Sequence, residues 1–437
     1  MPDRLVPFLD PWTTPATLWI AIVALGALLR VRGRPLAILA AGTAIGVTLW
    51  KAWSIGPPNG LLDLQIYTGS ARAWLDGGSL FSYRAPVFNL SATYPPIGIL
   101  PFALLTPFTA DVREVLFTVL SLGAIGCSAR CVSVLAGVPR DRRLEWSLWA
   151  MALAIVTVPV WLTLRQGQVN AILWLLVISD VVLIRRRSRF SGVGIGIATA
   201  IKLVPGLFIL WLIVAGWRRP AIRAVITTAV LTGLGWILDP ADSRTYWTQQ
   251  LWHSERVGRL DDARNNSILG GLSHAMGTST VRTMLWIILA AAIVIIGLWR
   301  ARSAARRGDL LAGLVIVGCS SALVSPISWT HHLGYLVIAL AALLPFASSP
   351  PRRVLFTLMV LLVIDPGHLG DDMAMSMVRM AMMVLIVLAL PIIDGRSSGD
   401  AGYERTNDER TSAESDEDPA GADQTVSTPS SLSTNSL

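Results

Sequence analysis

Residues 283–299 read TMLWIILAAAIVIIGLW, a run of seventeen residues without a charged side chain. A helix of this length nearly crosses the hydrocarbon core of a bilayer, which is about 30 Å thick. Similar apolar runs recur along the 437-residue chain, in which 53% of the residues are hydrophobic and 15% are charged. Soluble proteins carry roughly 25% charged residues. The sequence therefore predicts an all-α, polytopic integral membrane protein.

Short arginine clusters separate the apolar runs. They lie at 30–34, 140–143, 185–189, 218–223, 300–307 and 352–353. The positive-inside rule places such clusters on the cytoplasmic side, so we expect a multi-pass protein of the plasma (inner) membrane. A first outer loop at 56–93 and a large outer loop at 239–280 then face outward. Basic residues arranged in this way do not suggest a nucleic-acid-binding protein.

The alternation predicts 11 to 13 transmembrane helices. The expected spans are 15–30, 35–54, 112–136, 146–162, 169–184, a hairpin of 190–203 and 205–216, 220–238, 281–299, 309–328, 333–347, 354–366 and 373–393. Residues 94–108 contain four prolines and form either a short re-entrant helix or a crossing, because prolines suit a helix that enters only partway.

Composition changes sharply near residue 394. From Gly395 onward the chain has nine acidic residues, three arginines and few apolar residues, and such a segment cannot bury enough surface to fold. We expect a membrane domain at 1–393 and a disordered cytoplasmic tail at 394–437. The three cysteines lie in apolar runs without metal-ligand spacing, so we expect no disulfide and no metal site. We also expect no cofactor.

The first outer loop carries the principal candidate for a catalytic residue, Asp63. Apolar residues follow it at helical spacing: Leu64, Tyr67, Ala71, Trp74 and Leu75. This pattern predicts a short amphipathic helix at the membrane interface. Asp63 is a helix N-cap, a carboxylate held at the lipid–water boundary where it acts as a general base for a hydroxyl group, or both.

Further polar groups are expected on the outer side. Residues 165–170 read RQGQVN between two apolar helices, and residues 325–332 read SPISWTHH at the end of another span. Lys202 lies in an apolar run before Pro205. An ionisable residue inside a span is a functional candidate by default, and a lysine that snorkels to the interface is the alternative. Arg256 and Asn266, in the large outer loop, are either functional or ordinary solvated residues.

One carboxylate and several cationic groups fit an enzyme that binds a phosphate-bearing lipid donor. The sequence contains no Walker loop, no dinucleotide fingerprint and no Asp-x-Asp motif. ATP, dinucleotides and soluble sugar nucleotides therefore have no evident binding motif.

Seven short motifs in this order resemble the actinobacterial GT-C glycosyltransferases that use polyprenyl-phosphate mannose, and among them the alpha-1,2-mannosyltransferases that extend phosphatidylinositol mannosides. The motifs are DLQIY at 63–67, GGSLF at 77–81, YPP at 94–96, QGQVN at 166–170, KLVP at 202–205, NNS at 265–267 and SPISWTHH at 325–332. The resemblance runs from about Trp50 to beyond Trp329 and omits the tail. It implies a GT-C fold with an outward-facing active site.

The resemblance also implies roles for individual residues. In such enzymes the aspartate that opens the first outer loop is the general base, and Asp63 matches it. The donor phosphate would be held by His331 or His332 with Lys202, Arg165 and Arg256. The implied substrate-binding residues are Tyr67, Trp74, Tyr94, Gln166, Gln168, Asn266 and Trp329. The expected partners are polyprenyl-phosphate mannose, a glycolipid acceptor and membrane lipids.

Two other functions stay open at this point. The related arabinofuranosyltransferases use decaprenyl-phosphate arabinose, and the motifs do not exclude that donor. The broken helix at Lys202 also suits a lipid transporter or flippase, although the sequence lacks the internal repeat that transporters commonly show.

Overall fold

The computed structural model describes residues 34–55, 61–86, 89–365 and 373–394, and in these residues the chain is helical without strands. The α-helices are Arg34–Ile55 (α1), Leu62–Leu75 (α2), Pro96–Ile99 (α3), Ala110–Leu135 (α4), Arg143–Val156 (α5), Val158–Gln166 (α6), Asn170–Arg185 (α7), Val193–Ile201 (α8), Gly206–Val214 (α9), Arg218–Leu238 (α10), Pro240–Thr248 (α11), Ile268–Met276 (α12), Thr280–Arg306 (α13), Leu310–Val324 (α14), Gly334–Leu343 (α15), Pro350–Ile364 (α16) and Met373–Ala389 (α17). Short 3-10 segments include Leu100–Leu105, Gln250–Trp252 and Thr330–His332.

Helix α14 lies at the centre of the bundle. It is apolar on all sides, and every residue from Leu310 to Leu323 is buried. It packs against α7, α9, α13, α15 and α17. A helix without a polar face is buried in this way when neighbours surround it. By contrast, α10 and α13 expose apolar side chains such as Ile226 and Ile288, as expected of helices that face lipid.

Among the described residues, three helices are long and apolar enough to cross a membrane: α4, α10 and α13. The α5–α6 pair also qualifies if it is a single bent span, and several shorter apolar helices accompany these. The expected count of 11 to 13 crossings stays a prediction. The expected first span at 15–30 and almost all of the expected tail lie outside the described residues.

The expected span at 146–162 is not one straight helix, because the chain bends by 74° between α5 and α6. Thr157 at the break has an extended conformation, with φ −79° and ψ 143°. Pro159 follows at the second position of α6. A proline there lacks an N–H for the preceding turn and its ring would clash with a helical carbonyl, so a continuous helix is disfavoured.

The proline-rich stretch after Tyr94 forms α3 and the 3-10 segment Leu100–Leu105. Ten residues at a rise of about 1.5 to 2 Å each cover less than the hydrocarbon core, which favours the re-entrant alternative. A Cβ on Gly98 would lie 2.6 Å from the carbonyl oxygen of Ile201. Glycine therefore lets α3 lie directly on the end of α8.

The expected break near Lys202 is present. Helix α8 ends at Ile201, Lys202 is extended with φ −147° and ψ 128°, and α9 begins at Gly206 after Pro205. The close approach of α3 to this break brings Tyr94 and Lys202 together, with 3.3 Å between the lysine Nζ and the tyrosine hydroxyl.

Candidate active site

The segments at these helix ends surround one cavity of about 620 Å³. Eleven of the thirteen residues predicted from the sequence as catalytic or binding line it: Asp63, Tyr67, Tyr94, Arg165, Gln166, Gln168, Lys202, Arg256, Trp329, His331 and His332. The remaining two, Trp74 and Asn266, are not among the residues that line it. Residues more than 250 positions apart in the sequence thus reach the same cavity.

Asp63 belongs to the first turn of α2, and it does not cap the helix. Leu61 holds the cap position, and no side chain there bonds the helix amides. The N-cap interpretation of Asp63 is therefore wrong. Its Oδ2 instead accepts a hydrogen bond from Nε2 of Gln168 at 2.7 Å.

Gly167 explains how Gln168 reaches this carboxylate. It ends α6 in the left-handed region, with φ +68°. A Cβ at this position would lie 2.7 Å from Cβ of Leu61 and 2.8 Å from Cβ of Leu64. Only glycine combines this backbone turn with such close packing against the start of α2.

Two buried tyrosines complete the surroundings of Gln168. The hydroxyl of Tyr94 donates to Gln168 Oε1 at 2.8 Å, and the hydroxyl of Tyr67 lies 3.1 Å from the same atom. The two rings stack with 5.3 Å between their centroids. Both were predicted to contact substrate; both line the cavity and both also contact Gln168.

Lys202 makes three polar contacts at the cavity wall. Its Nζ lies 3.3 Å from the Tyr94 hydroxyl, 3.2 Å from Asn170 Oδ1 and 3.0 Å from His332 Nε2. The side chain is thus held in place by three groups, which argues against the interpretation that it simply snorkels to the interface.

Asn170 is a site residue that the sequence prediction did not single out. It is 3% exposed, its Oδ1 contacts Lys202 and its Nδ2 donates to the His331 carbonyl at 2.8 Å. The polar stretch 165–170 between two apolar helices was the available signal, but its pattern did not distinguish Asn170 from its neighbours.

The two adjacent histidines have different surroundings. His332 Nδ1 accepts from the backbone N–H of Trp329 at 3.2 Å, so in a neutral ring the proton is on Nε2, which faces Lys202. His331 is 6% exposed, and its Nε2 has no hydrogen-bond partner among the described residues. Burial and the charge of Lys202 lower the pKa of both imidazoles well below the usual value. At neutral pH both rings are therefore uncharged and each can donate one hydrogen bond.

Arg256 connects the segment before Tyr94 to the segment around Gln250 through its guanidinium. It donates to the carbonyls of Gln250 at 2.6 Å and Thr93 at 2.9 Å. Arg165 also lines the cavity and interacts electrostatically with Glu114. The predicted contacts of both arginines with a donor phosphate stay predictions.

Asn266 lies behind the cavity wall rather than in it. It is completely buried, and its Nδ2 donates to the carbonyls of Arg264 at 2.8 Å and Ser328 at 3.1 Å. It therefore joins the loop between α11 and α12 to the segment that carries the histidines. Trp74 is partly buried and packs against the core. Trp329 does line the cavity, with the guanidinium of Arg264 5.5 Å from its ring centroid.

Burial dominates the electrostatics of Asp63 and raises its pKa to about 6. The hydrogen bond from Gln168 and the positive charge of Lys202 oppose this shift without cancelling it. A carboxylate with a pKa of about 6 is mostly ionised at neutral pH and is a stronger base than an ordinary aspartate.

Comparison with known proteins identifies a matching family and several relatives. The family model described as glycosyltransferase family 87 matches residues 92–326. The chain is 31% identical over 313 residues to a polyprenol-phosphate-mannose-dependent alpha-(1-2)-phosphatidylinositol mannoside mannosyltransferase of Mycobacterium tuberculosis, covering 67% of this chain and 72% of the relative.

A second relative has a similar degree of likeness. The chain is 33% identical over 316 residues to a polyprenol-phosphate-mannose-dependent alpha-(1-2)-phosphatidylinositol pentamannoside mannosyltransferase of Mycolicibacterium smegmatis, covering 70% of this chain and 75% of the relative. These matches confirm the resemblance found in the motifs, and they leave the transporter alternative without support. The chain belongs to glycosyltransferase family 87 and is an all-α membrane glycosyltransferase of the GT-C type.

Proposed function

We propose that this enzyme transfers mannose from polyprenyl-phosphate mannose to a lipid-linked mannoside of the phosphatidylinositol mannoside type, forming an alpha-1,2 linkage. The observation that carries the proposal is the cavity in which Asp63 and Lys202 both lie. The relatives, whose names specify this donor and this class of acceptor, support the choice of substrates. The predicted inner-membrane location, the outer-facing cavity and the cytoplasmic C-terminus belong to the same proposal.

The reaction is a single inverting displacement. Asp63 takes the proton of the acceptor 2-hydroxyl, and the hydroxyl oxygen forms a bond to the anomeric carbon of the donor mannose. The bond between that carbon and the phosphate oxygen breaks, and its electron pair leaves with polyprenyl phosphate. A beta-linked donor thus gives an alpha-linked product. The lipid-linked donor supplies the activated sugar, and the scheme requires no cofactor.

Lys202 and His332 favour an anion between them. The Nε2–H of a neutral His332 and the ammonium of Lys202 are both donors, and their nitrogens are 3.0 Å apart. An uncharged Lys202 would accept from His332 Nε2–H, whereas an anion nearby favours the ammonium form, which leaves both nitrogens as donors toward it. A phosphate oxygen would accept from both and would spread the charge that develops on the leaving group. We therefore assign the donor phosphate to His332 and Lys202.

His331 and Gln166 are suited to bind sugar hydroxyls. His331 Nε2 and Gln166 Oε1 are buried at the cavity and have no hydrogen-bond partner among the described residues. Unsatisfied buried polar groups cost free energy, which a hydroxyl-rich substrate would recover by bonding to them. This is the expected behaviour of a site that selects sugars.

The direct test is transfer from synthetic polyprenyl-phosphate mannose to a phosphatidylinositol mannoside by the purified full-length protein. The product linkage is checked by digestion with alpha-1,2-mannosidase. Wild-type protein should form a digestible product, and Asp63→Asn should lose about 100- to 10,000-fold in turnover, the usual contribution of a general base. Donor binding should persist, because the amide has the same shape as the carboxylate.

Asp76→Asn is the matched control. Asp76 follows the same helix but is more than half exposed and pairs with Arg72 at 3.1 Å, so its variant should retain wild-type turnover. Transfer of arabinose from decaprenyl-phosphate arabinose, without transfer of mannose, would replace the proposed donor. Wild-type-like turnover by Asp63→Asn would remove Asp63 as the base.

A further inference from the structure

A chain of hydrogen bonds connects Lys202 to the carboxylate of Asp63 across the cavity. Lys202 Nζ contacts the Tyr94 hydroxyl at 3.3 Å, that hydroxyl contacts Gln168 Oε1 at 2.8 Å, and Gln168 Nε2 contacts Asp63 Oδ2 at 2.7 Å. Four residues from four separate segments of the polypeptide form this chain of hydrogen bonds. All of them line the cavity.

The chemistry of the groups gives the chain of hydrogen bonds one direction. The ionised carboxylate of Asp63 can only accept, so Gln168 donates to it through Nε2 and accepts from the tyrosine hydroxyls through Oε1. Burial raises the pKa of Tyr94 and of Tyr67 above the usual value, which keeps both hydroxyls protonated. The amide oxygen of Gln168 therefore faces the tyrosines, and its N–H group faces Asp63.

This direction distinguishes the two oxygens of Asp63. Oδ2 accepts from Gln168, whereas Oδ1 makes no hydrogen bond within the parts of the chain that the structure describes. A carboxylate held through one oxygen can present the other to an acceptor hydroxyl in a fixed orientation.

We propose that Gln168 is a positioning residue: its side-chain amide, oriented by Tyr94, holds Oδ2 of Asp63 so that Oδ1 receives the proton of the acceptor. The family resemblance implied that Gln168 binds substrate, and the role proposed for it here is a different one. The inference rests on the proposed function, since it needs Asp63 to act as the base.

The test compares pH profiles of kcat/KM for purified full-length variants in lipid nanodiscs. Gln168→Met keeps the length of the side chain and removes the hydrogen bond. It should move the acidic limb of the profile upward by about one pH unit, because a donor to an ionised carboxylate is lost. It should also lower kcat about ten- to a hundredfold through misalignment, with little change in the KM for donor.

Two further variants grade the effect. Gln168→Glu has the shape of glutamine but places a second carboxyl group beside Asp63, so the acidic limb should move further upward. Tyr94→Phe leaves Tyr67 as the remaining partner of Gln168 Oε1, so it should shift the limb in the same direction by less. Gln249→Met changes an exposed glutamine of the large outer loop and should reproduce the wild-type profile.

Several other titratable groups line the same cavity and could also affect the pH profile. Apart from the substituted residue, they are the same in every variant. They are Tyr67, Tyr94, Arg165, Lys202, Tyr246, His253, Arg256, Asp262, Arg264, His331 and His332. A shift that occurs with the Gln168 variants and not with Gln249→Met is therefore assigned to Gln168.

The outcomes separate this inference from the proposed function. A Gln168→Met enzyme whose pH profile superimposes on that of the wild type overturns the positioning role, whatever its absolute rate. A loss of activity that appears only as a higher KM for donor overturns it as well. Failure of the wild-type protein to transfer mannose overturns the proposed function instead. An upward shift graded from Tyr94→Phe to Gln168→Glu supports the inference.

Discussion

At the scale of single residues, the environment of Asp63 predicts how activity depends on pH. Burial raises its pKa to about 6, and a general base must be deprotonated to work. Turnover should therefore fall as the pH decreases through about 6. The measurement is kcat/KM for mannose transfer between pH 5 and pH 8. A profile that stays flat down to pH 5 would contradict this assignment.

The same shift has a consequence for stability. A carboxyl group with a higher pKa in the folded state than in the unfolded chain binds its proton more tightly when folded. Its stabilising contribution is complete below the unfolded value of 3.8 and is lost as the pH rises through about 6. Asp63 is ionised at neutral pH at some cost in stability, as expected of a functional group that is held buried.

Lys202 supports a second prediction at this scale. Lys202→Met removes the only ammonium among the described residues that line the cavity, and it should raise the KM for donor about tenfold or more, as for a charge-assisted hydrogen bond. Steady-state kinetics with varied donor concentration measures this effect. Lys202→Arg keeps the charge and should lose less. An unchanged KM in Lys202→Met would argue that the lysine does not contact the phosphate.

At the scale of elements, the turn between α6 and α7 decides whether the site is assembled. Gly167→Ala would place a Cβ 2.7 Å from Cβ of Leu61 in a left-handed turn, which should separate Gln168 from Asp63. We expect the free energy of unfolding to fall by about 1 kcal/mol or more. We also expect most of the transfer activity to be lost. Thermal unfolding in detergent and the transfer assay measure the two effects.

Gly137→Ala is a control for the cost of placing alanine in the left-handed backbone conformation alone. Gly137 has a similar φ of +71°, but a Cβ there would meet nothing within 4 Å. The Gly137→Ala variant should lose stability because of the left-handed conformation, but it should keep mannose transfer. Equal effects of the two substitutions on transfer would contradict the proposed role of close packing at Gly167.

The helices also show which features local sequence patterns predict and which they do not. The amphipathic spacing after Asp63 predicted a helix, and α2 is present at Leu62–Leu75. The same reasoning treated 146–162 as one helix, whereas the chain bends at Thr157. Hydrophobicity measures burial in lipid or protein, but it does not reveal where a proline and its neighbours redirect the chain.

At the scale of the whole molecule, composition predicts that the C-terminal tail is dispensable for transfer. A chain that ends after Ile393 keeps the bond from the Ile393 N–H to Asp309 Oδ2 at 2.8 Å and the bonds from Arg300 to the carbonyls of Val387 and Leu390. We expect full activity and unchanged thermal unfolding.

A variant that ends earlier, after Ala389, provides the comparison. It removes the partners that Ile393 and Leu390 supply to Asp309 and Arg300, so its unfolding temperature should fall. An inactive protein that ends after Ile393 would show that the tail contributes to function.

The sequence by itself determined the membrane character, the break at Lys202 and most of the residues that reach the cavity. Those features depend on composition and on local order: a charged residue within an apolar run or a polar stretch between two apolar helices is visible without a structure. Their order along the chain also carried the family resemblance, which the comparisons confirm.

Only the tertiary structure decided how these residues act on one another. Asp63, Gln168, Lys202 and His332 come from segments separated by up to 269 positions, so no local pattern records that Gln168 bonds Asp63 or that His332 faces Lys202. Nor does the sequence show that Asn266 supports the cavity from behind. A hydrogen bond requires that the donor–acceptor distance be right to within a few tenths of an ångström and that the donor point at the acceptor. Such distances exist only after the helices have packed.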